Sequence, residues 1–426
     1  MTSLQSTSLG WAPAIPSHWK VVPLSFIAKM GTGHTPDRSK SEYWENCTVP
    51  WVTTPDVTRR GDSLTPLMET EQLISELGMS NSAAVLHPKG TVMLSRTASI
   101  GHSTRIGRPM ATTQAFVTWH AGPDLDSRYL LLVMRAMKQE WQRLAYGSTH
   151  LTIYMPDLES IRIPLPPLEE QRRIADFLDA ETTHIDRMVS IRSAQLNLLA
   201  EREKAMLDRA FSKATSGVPT RLKRLFSVRP RYGVLVPQFV DEGIPFIRVN
   251  DLLNLEDRAA SLRRIPAELS AQYARTVVKP GDLLVSVVGT LGRSAIASES
   301  AAGANIARAV CSIRVSNDVE VELVQAWLST SLFRTQAQLA TSTDTAQPTL
   351  GMEDLGNFTL VWPTNSDERR RLLSTIRAGQ SNLSQLDHRL RRQVELLAER
   401  RQALITAAVT GQFDVSTASG QGVDVP

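Results

Sequence analysis

Apolar residues recur in steps of three, four, seven and eight along two stretches of this chain. Ile174, Leu178, Ile185, Met188, Leu196, Leu199 and Met206 form the first series. Leu372, Ile376, Leu383, Leu386, Val394, Leu397 and Leu404 form the second, each 198 positions later. This spacing puts an apolar stripe along a helix. From Leu168 to Ser216 there is neither Gly nor Pro. The pattern predicts one helix from Leu168 to Phe211, about 66 Å long at 1.5 Å per residue. A single helix of that kind would leave its stripe in water. Two of them in one chain can pair antiparallel and bury it, which puts the segments they carry at opposite ends, related by a pseudo-twofold axis.

The helix starts agree with this. Pro167 can occupy a first turn, where its missing N–H costs nothing, and Glu169 and Glu170 complement the positive end. Thr364 with Asp367 has capping-box spacing. Gly379 stands where the first copy has Glu181 and costs about 1 kcal/mol relative to Ala; a bend or a close helix approach would account for it.

The repeat extends beyond the stripes. Leu198-Leu199-Ala200-Glu201-Arg202 returns as Leu396-Leu397-Ala398-Glu399-Arg400. Val49-Pro50-Trp51-Val52 with Asp56-Val57 pairs with Ile244-Pro245-Phe246-Ile247 with Asp251-Leu252, Lys89-Gly90 with Pro280-Gly281, and Asp157-Leu158 with Asp354-Leu355. Repeats this long indicate a duplicated domain rather than a solenoid. Within each copy, runs such as Val92-Met93-Leu94, Ala115-Phe116-Val117 and Asp282 to Val288 read as buried strands between turns. Ser127–Ala145 and Glu322–Ala340 read as one helix each. The fold class is therefore α+β: two tandem α+β domains separated by two long antiparallel coiled-coil helices. The expected boundaries are 1–166, 167–216, 217–363 and 364–413, with 414–426 a disordered tail.

Composition narrows the function only a little. Lys plus Arg number 47 against 43 acids, a net charge of +4, which permits nucleic-acid binding without requiring it. Two cysteines, Cys47 and Cys311, give no disulfide framework and no metal cluster. No apolar run reaches the roughly 18–20 residues that span a bilayer, and Met1 to Gly10 has no secretory apolar segment. The cytoplasm is the expected location.

Catalytic motifs are scarce. The Pro-Pro at Pro166-Pro167 lacks the polar residue before it and the aromatic after it that an adenine methyltransferase needs. No Walker loop is present, and Gly31-Thr32-Gly33 reads as a turn. His34, His102 and His150 read as surface or loop residues, and Ser95 and Ser286 as strand ends. Asp56 and Asp251 read as turn or cap residues. Positive and amide side chains in turns are more suggestive: Arg59, Arg60, Arg96, Arg105 and Arg108 in the first unit, Arg248, Asn250, Arg263, Arg264, Arg275, Arg293 and Arg308 in the second. Arg and Asn can read guanine and adenine edges, and any Arg can hold phosphate. Arg172-Arg173 and Arg369-Arg370-Arg371 read as helix-surface or partner-facing.

The segment Pro164-Leu165-Pro166-Pro167-Leu168-Glu169-Glu170-Gln171-Arg172-Arg173-Ile174 resembles the hallmark of specificity (S) subunits of type I restriction–modification enzymes. So do Gly31 to Pro36 with Tyr43-Trp44, Pro50-Trp51-Val52 to Asp56-Val57, and Ala408-Val409-Thr410-Gly411. The likeness runs from about Ile15 to Phe413. It departs where Asp367-Glu368-Arg369 replaces Glu169-Glu170-Gln171, and where the Gly-x-Gly-x-Thr-Pro and Tyr-Trp elements find no clear counterpart in the second unit. The resemblance implies a non-catalytic subunit. Each α+β unit would read half of a bipartite site in double-stranded DNA. The helices would set the gap and dock two methyltransferase (M) subunits, and restriction (R) subunits would join. S-adenosylmethionine, ATP and Mg would belong to those partners. A type IIB-like recognition subunit, a self-contained methyltransferase or nuclease, and a non-DNA scaffold are the competing readings.

Overall fold

The first copy of the repeat builds a seven-strand core, and the second copy builds it again with the same pairings. The computed structural model describes residues 3–147, 151–213, 217–341, 348–413 and 415. His150 and nearly all of the expected tail lie outside them. The strands are β1 (Leu4–Leu9), β2 (Ala12–Pro16), β3 (Lys20–Pro23), β4 (Ala28–Thr32), β5 (Val49–Val52), β6 (Gln72–Ile74), β7 (Val92–Ser95), β8 (Ser103–Arg105), β9 (Ala111–Thr112), β10 (Phe116–Ala121) and β11 (Arg162–Leu165) in the first copy. The second has β12 (Gly217–Arg221), β13 (Phe226–Tyr232), β14 (Ile244–Ile247), β15 (Arg264–Ile265), β16 (Leu283–Ser286), β17 (Ser294–Ile296), β18 (Asn305–Ile306), β19 (Val310–Val315) and β20 (Thr359–Pro363).

After the β1–β2 hairpin, every pairing recurs nine strands later. The sheet β4-β10-β7-β8 returns as β13-β19-β16-β17, the sheet β6-β5-β9 as β15-β14-β18, and the ribbon β3-β11 as β12-β20. Even the parallel strand pair repeats: Trp51 lies opposite Ala111 as Phe246 lies opposite Asn305. Val92 to Ser95 and Leu283 to Ser286 are wholly buried, because their sheets are covered on both faces.

The two predicted covering helices are each broken in two. Ser127–Ala145 is α1 (Ser127–Ala136) and α2 (Lys138–Arg143), with Met137 leaving helical geometry at ψ 15°. Trp141 Nε1 donates to the carbonyl of Met134, 2.8 Å away. The second copy has α4 (Val321–Leu328) and α5 (Ser331–Ala340), where Thr330 caps the new start by accepting from the N–H of Phe333.

The long helices are α3 (Leu168–Ser212) and α6 (Ser366–Val409). The chain divides into two compact units, Met1–Arg192 with Arg392–Pro426, and Ser193–Arg391. Each long helix therefore contributes to both. Within the first unit the two helices run antiparallel, as expected: Phe177 meets Phe413, just past the end of α6, with ring centroids 5.4 Å apart, and Asp186 meets Arg401 Nε at 3.2 Å. As α3 advances, α6 recedes. Within the second unit Gln380 Nε2 donates to Glu203 at 3.1 Å, and Met206 faces Gly379. A Cβ on Gly379 would lie 3.1 Å from Met206 Sδ; the glycine lets the helices approach closely.

The stripe is buried at its ends. Ile174, Leu178, Ile185 and Leu404 join the first unit's core, and Ile376 the second's. Met188, Leu196, Leu199, Met206, Leu372, Leu383, Val394 and Leu397 are half-buried, and Leu386 is exposed. The expectation of a uniformly buried stripe is thus corrected: away from the α+β cores no further layer covers it. The cap of α6 also shifts by one residue, from Thr364 to Asn365, whose Oδ1 accepts from the N–H of Asp367 at 2.7 Å.

Candidate nucleic-acid interface

Where β5 ends, Thr53 and Asp56 close a capping box that starts the turn of helix Thr54–Thr58. Asp56 Oδ2 accepts from the Thr53 N–H (2.7 Å) and hydroxyl (2.6 Å), and Oδ1 from the N–H of Glu71 (2.9 Å). Asp56 is a cap, as its spacing suggested. Beside it opens a cleft of about 650 Å³ lined by Thr35, Arg38, Trp51, Gln72, Arg96 and Gln114, among others. Trp51 meets Trp44 edge-on at 5.4 Å, and the Arg38 guanidinium lies over both rings, at 5.2 Å and 5.6 Å. The Thr35 hydroxyl donates to Gln114 Oε1 at 2.7 Å. Gly33 makes this possible: a Cβ there would sit 2.0 Å from the carbonyl oxygen of Thr112.

The second unit repeats the device with other residues. Asp251 takes the cap position, accepting from the N–H of Arg248 at 2.9 Å. Phe246 meets Phe239 edge-on at 6.0 Å, and Arg263 lies 4.7 Å over Phe239. Phe239 precedes Phe246 by seven positions, as Trp44 precedes Trp51. Gly233 presses on the carbonyl oxygen of Ile306 as Gly33 does on Thr112, with a Cβ distance of 1.9 Å. Gly33 and Trp44 therefore have positional counterparts in Gly233 and Phe239, while Gly31 and Tyr43 are replaced by Arg231 and Gln238. A separate cleft of about 680 Å³ in this unit is lined by Arg231, Tyr232, Tyr273 and Arg275.

The helix joint carries the same logic. Gln171 is fully buried; its Nε2 donates to the carbonyls of Asp124 (3.0 Å) and Pro166 (2.9 Å), and its Oε1 accepts from the N–H of Asp126 (2.8 Å). Arg369, the residue 198 positions on, donates to the carbonyls of Asp318 (3.1 Å), Pro363 (3.2 Å) and Thr364 (3.1 Å), and pairs with Glu320 at 2.7 Å. Arg369 is thus a joint residue, not a surface or partner-facing one.

Residues 16–196 match the model of the type I restriction modification DNA specificity domain. Over that stretch, less than half of the chain, the sequence is similar to type I specificity subunits. The EcoBI specificity subunit of Escherichia coli is 28% identical over 242 residues, covering 50% of this chain and 50% of that protein. The MjaIX specificity subunit of Methanocaldococcus jannaschii is 27% identical over 200 residues, 46% of this chain and 44% of its own. The aligned region thus spans about half the length of these relatives. A solved chain, described as the basis of complex assembly and conformational transition of the type I R-M system, superposes with a TM-score of 0.64 at 17% identity. It covers 94% of this chain and 99% of that one. That likeness speaks to the fold.

In this fold the predicted site residues separate into groups. Arg96 lines the first cleft and reaches the carbonyl of Ile153 at 3.4 Å. Arg59 pairs with Glu71 at 2.6 Å, and Arg60 donates to the Thr65 hydroxyl at 2.9 Å. Arg105 lies elsewhere: burial draws its pKa down, and its charged neighbours are Asp179, Arg128 and Asp126 at the root of α3. It braces the helix base rather than the cleft. Arg108 is exposed in the turn before β9. In the second unit Arg248 and Arg258 pair with Asp251, at 3.1 Å and 3.7 Å, and Arg293 reaches Asn250 Oδ1 at 3.5 Å. Arg264 donates to the carbonyl of Gly243 at 2.8 Å. Arg275 lines the second cleft, and Arg308 is exposed near Tyr232.

Sequence reasoning missed Arg38, Gln72, Gln114 and Arg231. Only the neighbouring Gly33 and Trp51 signalled the first three. His34 holds the cleft edge through its backbone N–H, 3.0 Å from the carbonyl of Thr112. His102 is half-buried near Arg135, which lowers its pKa together with burial. Ser95 and Ser286 end β7 and β16, as read. Among the described residues no cluster could hold a metal ion, and no helix is long and apolar enough to cross a membrane.

Proposed function

We propose that this chain is the address-bearing subunit of a type I restriction–modification enzyme. Each α+β unit reads one half of a bipartite double-stranded DNA site, and the long helices fix the spacing between the halves. The observation that carries this is the repetition, strand for strand, of one α+β topology with an aromatic pair and an arginine stacked on it beside the capped turn in each copy. Arginines with polar neighbours at turn ends suit both phosphate positioning and base-edge reading.

The chain supplies recognition and no bond-breaking chemistry. Two M subunits dock on it, carry S-adenosylmethionine and methylate one adenine per half-site. R subunits add ATP- and Mg-dependent translocation and cleavage. The assembly works on genomic DNA in the cytoplasm.

Mapping methylated adenines in the host with and without this gene tests the reading. A bipartite motif with a fixed unread gap should vanish on deletion; a methylome unchanged by deletion refutes it. The spacing role has its own test. Four residues inserted near Gln195 add one helical turn, about 6 Å, so the gap should widen by about one or two base pairs at 3.4 Å each. An unchanged gap would rule out the helix as the spacer.

A further inference from the structure

The two units present one β-turn in common, and the residue at its first corner differs in kind. In the first unit the turn is Thr113-Gln114-Ala115-Phe116, closed by the Phe116 N–H on the carbonyl of Thr113 at 3.2 Å. In the second it is Ala307-Arg308-Ala309-Val310, closed by the Val310 N–H on the carbonyl of Ala307 at 2.8 Å. The strands on both sides fix the equivalence. Thr112 and Ile306 lie opposite Val52 and Ile247, and Phe116 and Val310 lie opposite Ser95 and Ser286. The bonds around the turn match as well: Thr113 N–H to Val52 and Ala307 N–H to Ile247, Arg96 N–H to Ala115 and Val287 N–H to Ala309. Gln114 and Arg308 therefore occupy one position on one backbone.

Both side chains are exposed. Among the described residues the Arg308 guanidinium has no hydrogen bond or ion pair, whereas Arg248, Arg264 and Arg293 are each engaged. Among the described residues Gln114 makes a single side-chain bond, from the Thr35 hydroxyl to Oε1, which leaves the Nε2 donors and the second Oε1 lone pair of this exposed amide available. Positive charge flanks both turns. Arg38 and Arg96 share the cleft with Gln114, and Arg231 and Arg275 share a cleft with Tyr232, beside Arg308.

We propose that this shared turn carries one specificity-determining residue per unit: Gln114 selects an adenine in one half-site, and Arg308 a guanine in the other. An exposed amide can accept from adenine N6 while donating to N7, and a free guanidinium can donate to guanine O6 and N7 together. The inference rests on the DNA-reading function proposed above. Exchange of the two residues tests it in the full chain, expressed in the host in place of the native gene, with methylated adenines mapped. Gln114→Arg should convert one adenine of one half-site to guanine and leave the other half intact; Arg308→Gln should do the converse. Gln114→Ala and Arg308→Ala should each relax a single position, lowering discrimination there roughly 10- to 100-fold. A motif unchanged in all four variants, or weakened with no position relaxed or converted, overturns the inference and leaves the wild-type motif, hence the function, standing. A native gene that yields no motif overturns both.

Discussion

Alanine at Gly233 would probe how tightly the second unit's recognition turn is held. The added Cβ would lie 1.9 Å from the carbonyl oxygen of Ile306, whereas real Cβ contacts stay above 3.0 Å. The two backbones must part by about 1.1 Å (3.0 − 1.9). Two hydrogen bonds lie across that seam: Val234 N–H to Ile306 at 2.8 Å, and Arg308 N–H to Val234 at 2.9 Å. A displacement of that size breaks both. Each is worth about 1 kcal/mol net, and a buried group left unpaired costs about 1–3 kcal/mol. Because Ile306 and Val234 are buried, the total is about 2–4 kcal/mol. For a unit of this size each kcal/mol moves the midpoint by about 2–4 °C, so the loss should be about 4–16 °C. Calorimetry of the full chain would measure it, with Gly10→Ala as the reference, since nothing lies within 4 Å of a Cβ there. If Gly233→Ala melts together with Gly10→Ala, the close-approach argument fails, and with it the equivalence of Gly33 and Gly233.

Two further predictions follow from the first unit. Ala98 has φ +59°, where its counterpart Gly289 has φ +73°; both N–H groups make the same contact, to Leu151 at 3.1 Å and to Pro348 at 3.0 Å. Left-handed geometry costs Ala about 1–2 kcal/mol, and the extra freedom of glycine offsets about 0.5–1 kcal/mol. Ala98→Gly should therefore stabilise by about 0.5–1 kcal/mol in chemical denaturation, and a destabilised variant would contradict the strain. Burial holds the His87 and His102 imidazoles below their ordinary pKa of 6.5. The folded state then binds fewer protons than the unfolded one, so stability is intact above pH 6.5 and falls as acid takes it toward the folded pKa values. His87→Gln with His102→Gln should flatten that acid slope in melting curves, and an unchanged slope would place its origin elsewhere.

The fold was largely legible because it depends on periodicity. The 198-residue offset survives in the stripe since apolar burial tolerates exchange of Ile, Leu and Met. Asp56 and Asp251 were legible as caps because a cap is a local relation between a side chain and a nearby N–H. The clefts were harder. Arg38 covers both rings of one aromatic pair and Arg263 one ring of the other, yet they come from opposite sides of the pair in the chain, so no alignment matches them. Phe239 replaces Trp44 in the same place, with only its seven-residue spacing to Phe246 preserved. Gly233 is offset by 200 residues from Gly33, while the motif beside it is offset by 195. Its role comes from a long-range backbone contact that local sequence does not encode. The breaks at Met137 and Ser329 lie within apolar runs whose helical period continues through them.

The joint between α3 and its unit, and between α6 and its unit, is made to main-chain oxygens. Gln171 grips the carbonyls of Asp124 and Pro166, and Arg369 those of Asp318, Pro363 and Thr364. Every residue type offers the same carbonyl, so apart from the Arg369–Glu320 ion pair the grip depends little on which side chains surround it. Mutations that redraw a reading surface leave the coupling beneath it untouched, provided the backbone keeps its path. A remodelled turn surface can then arise without a matching change in the long helix that bears the unit.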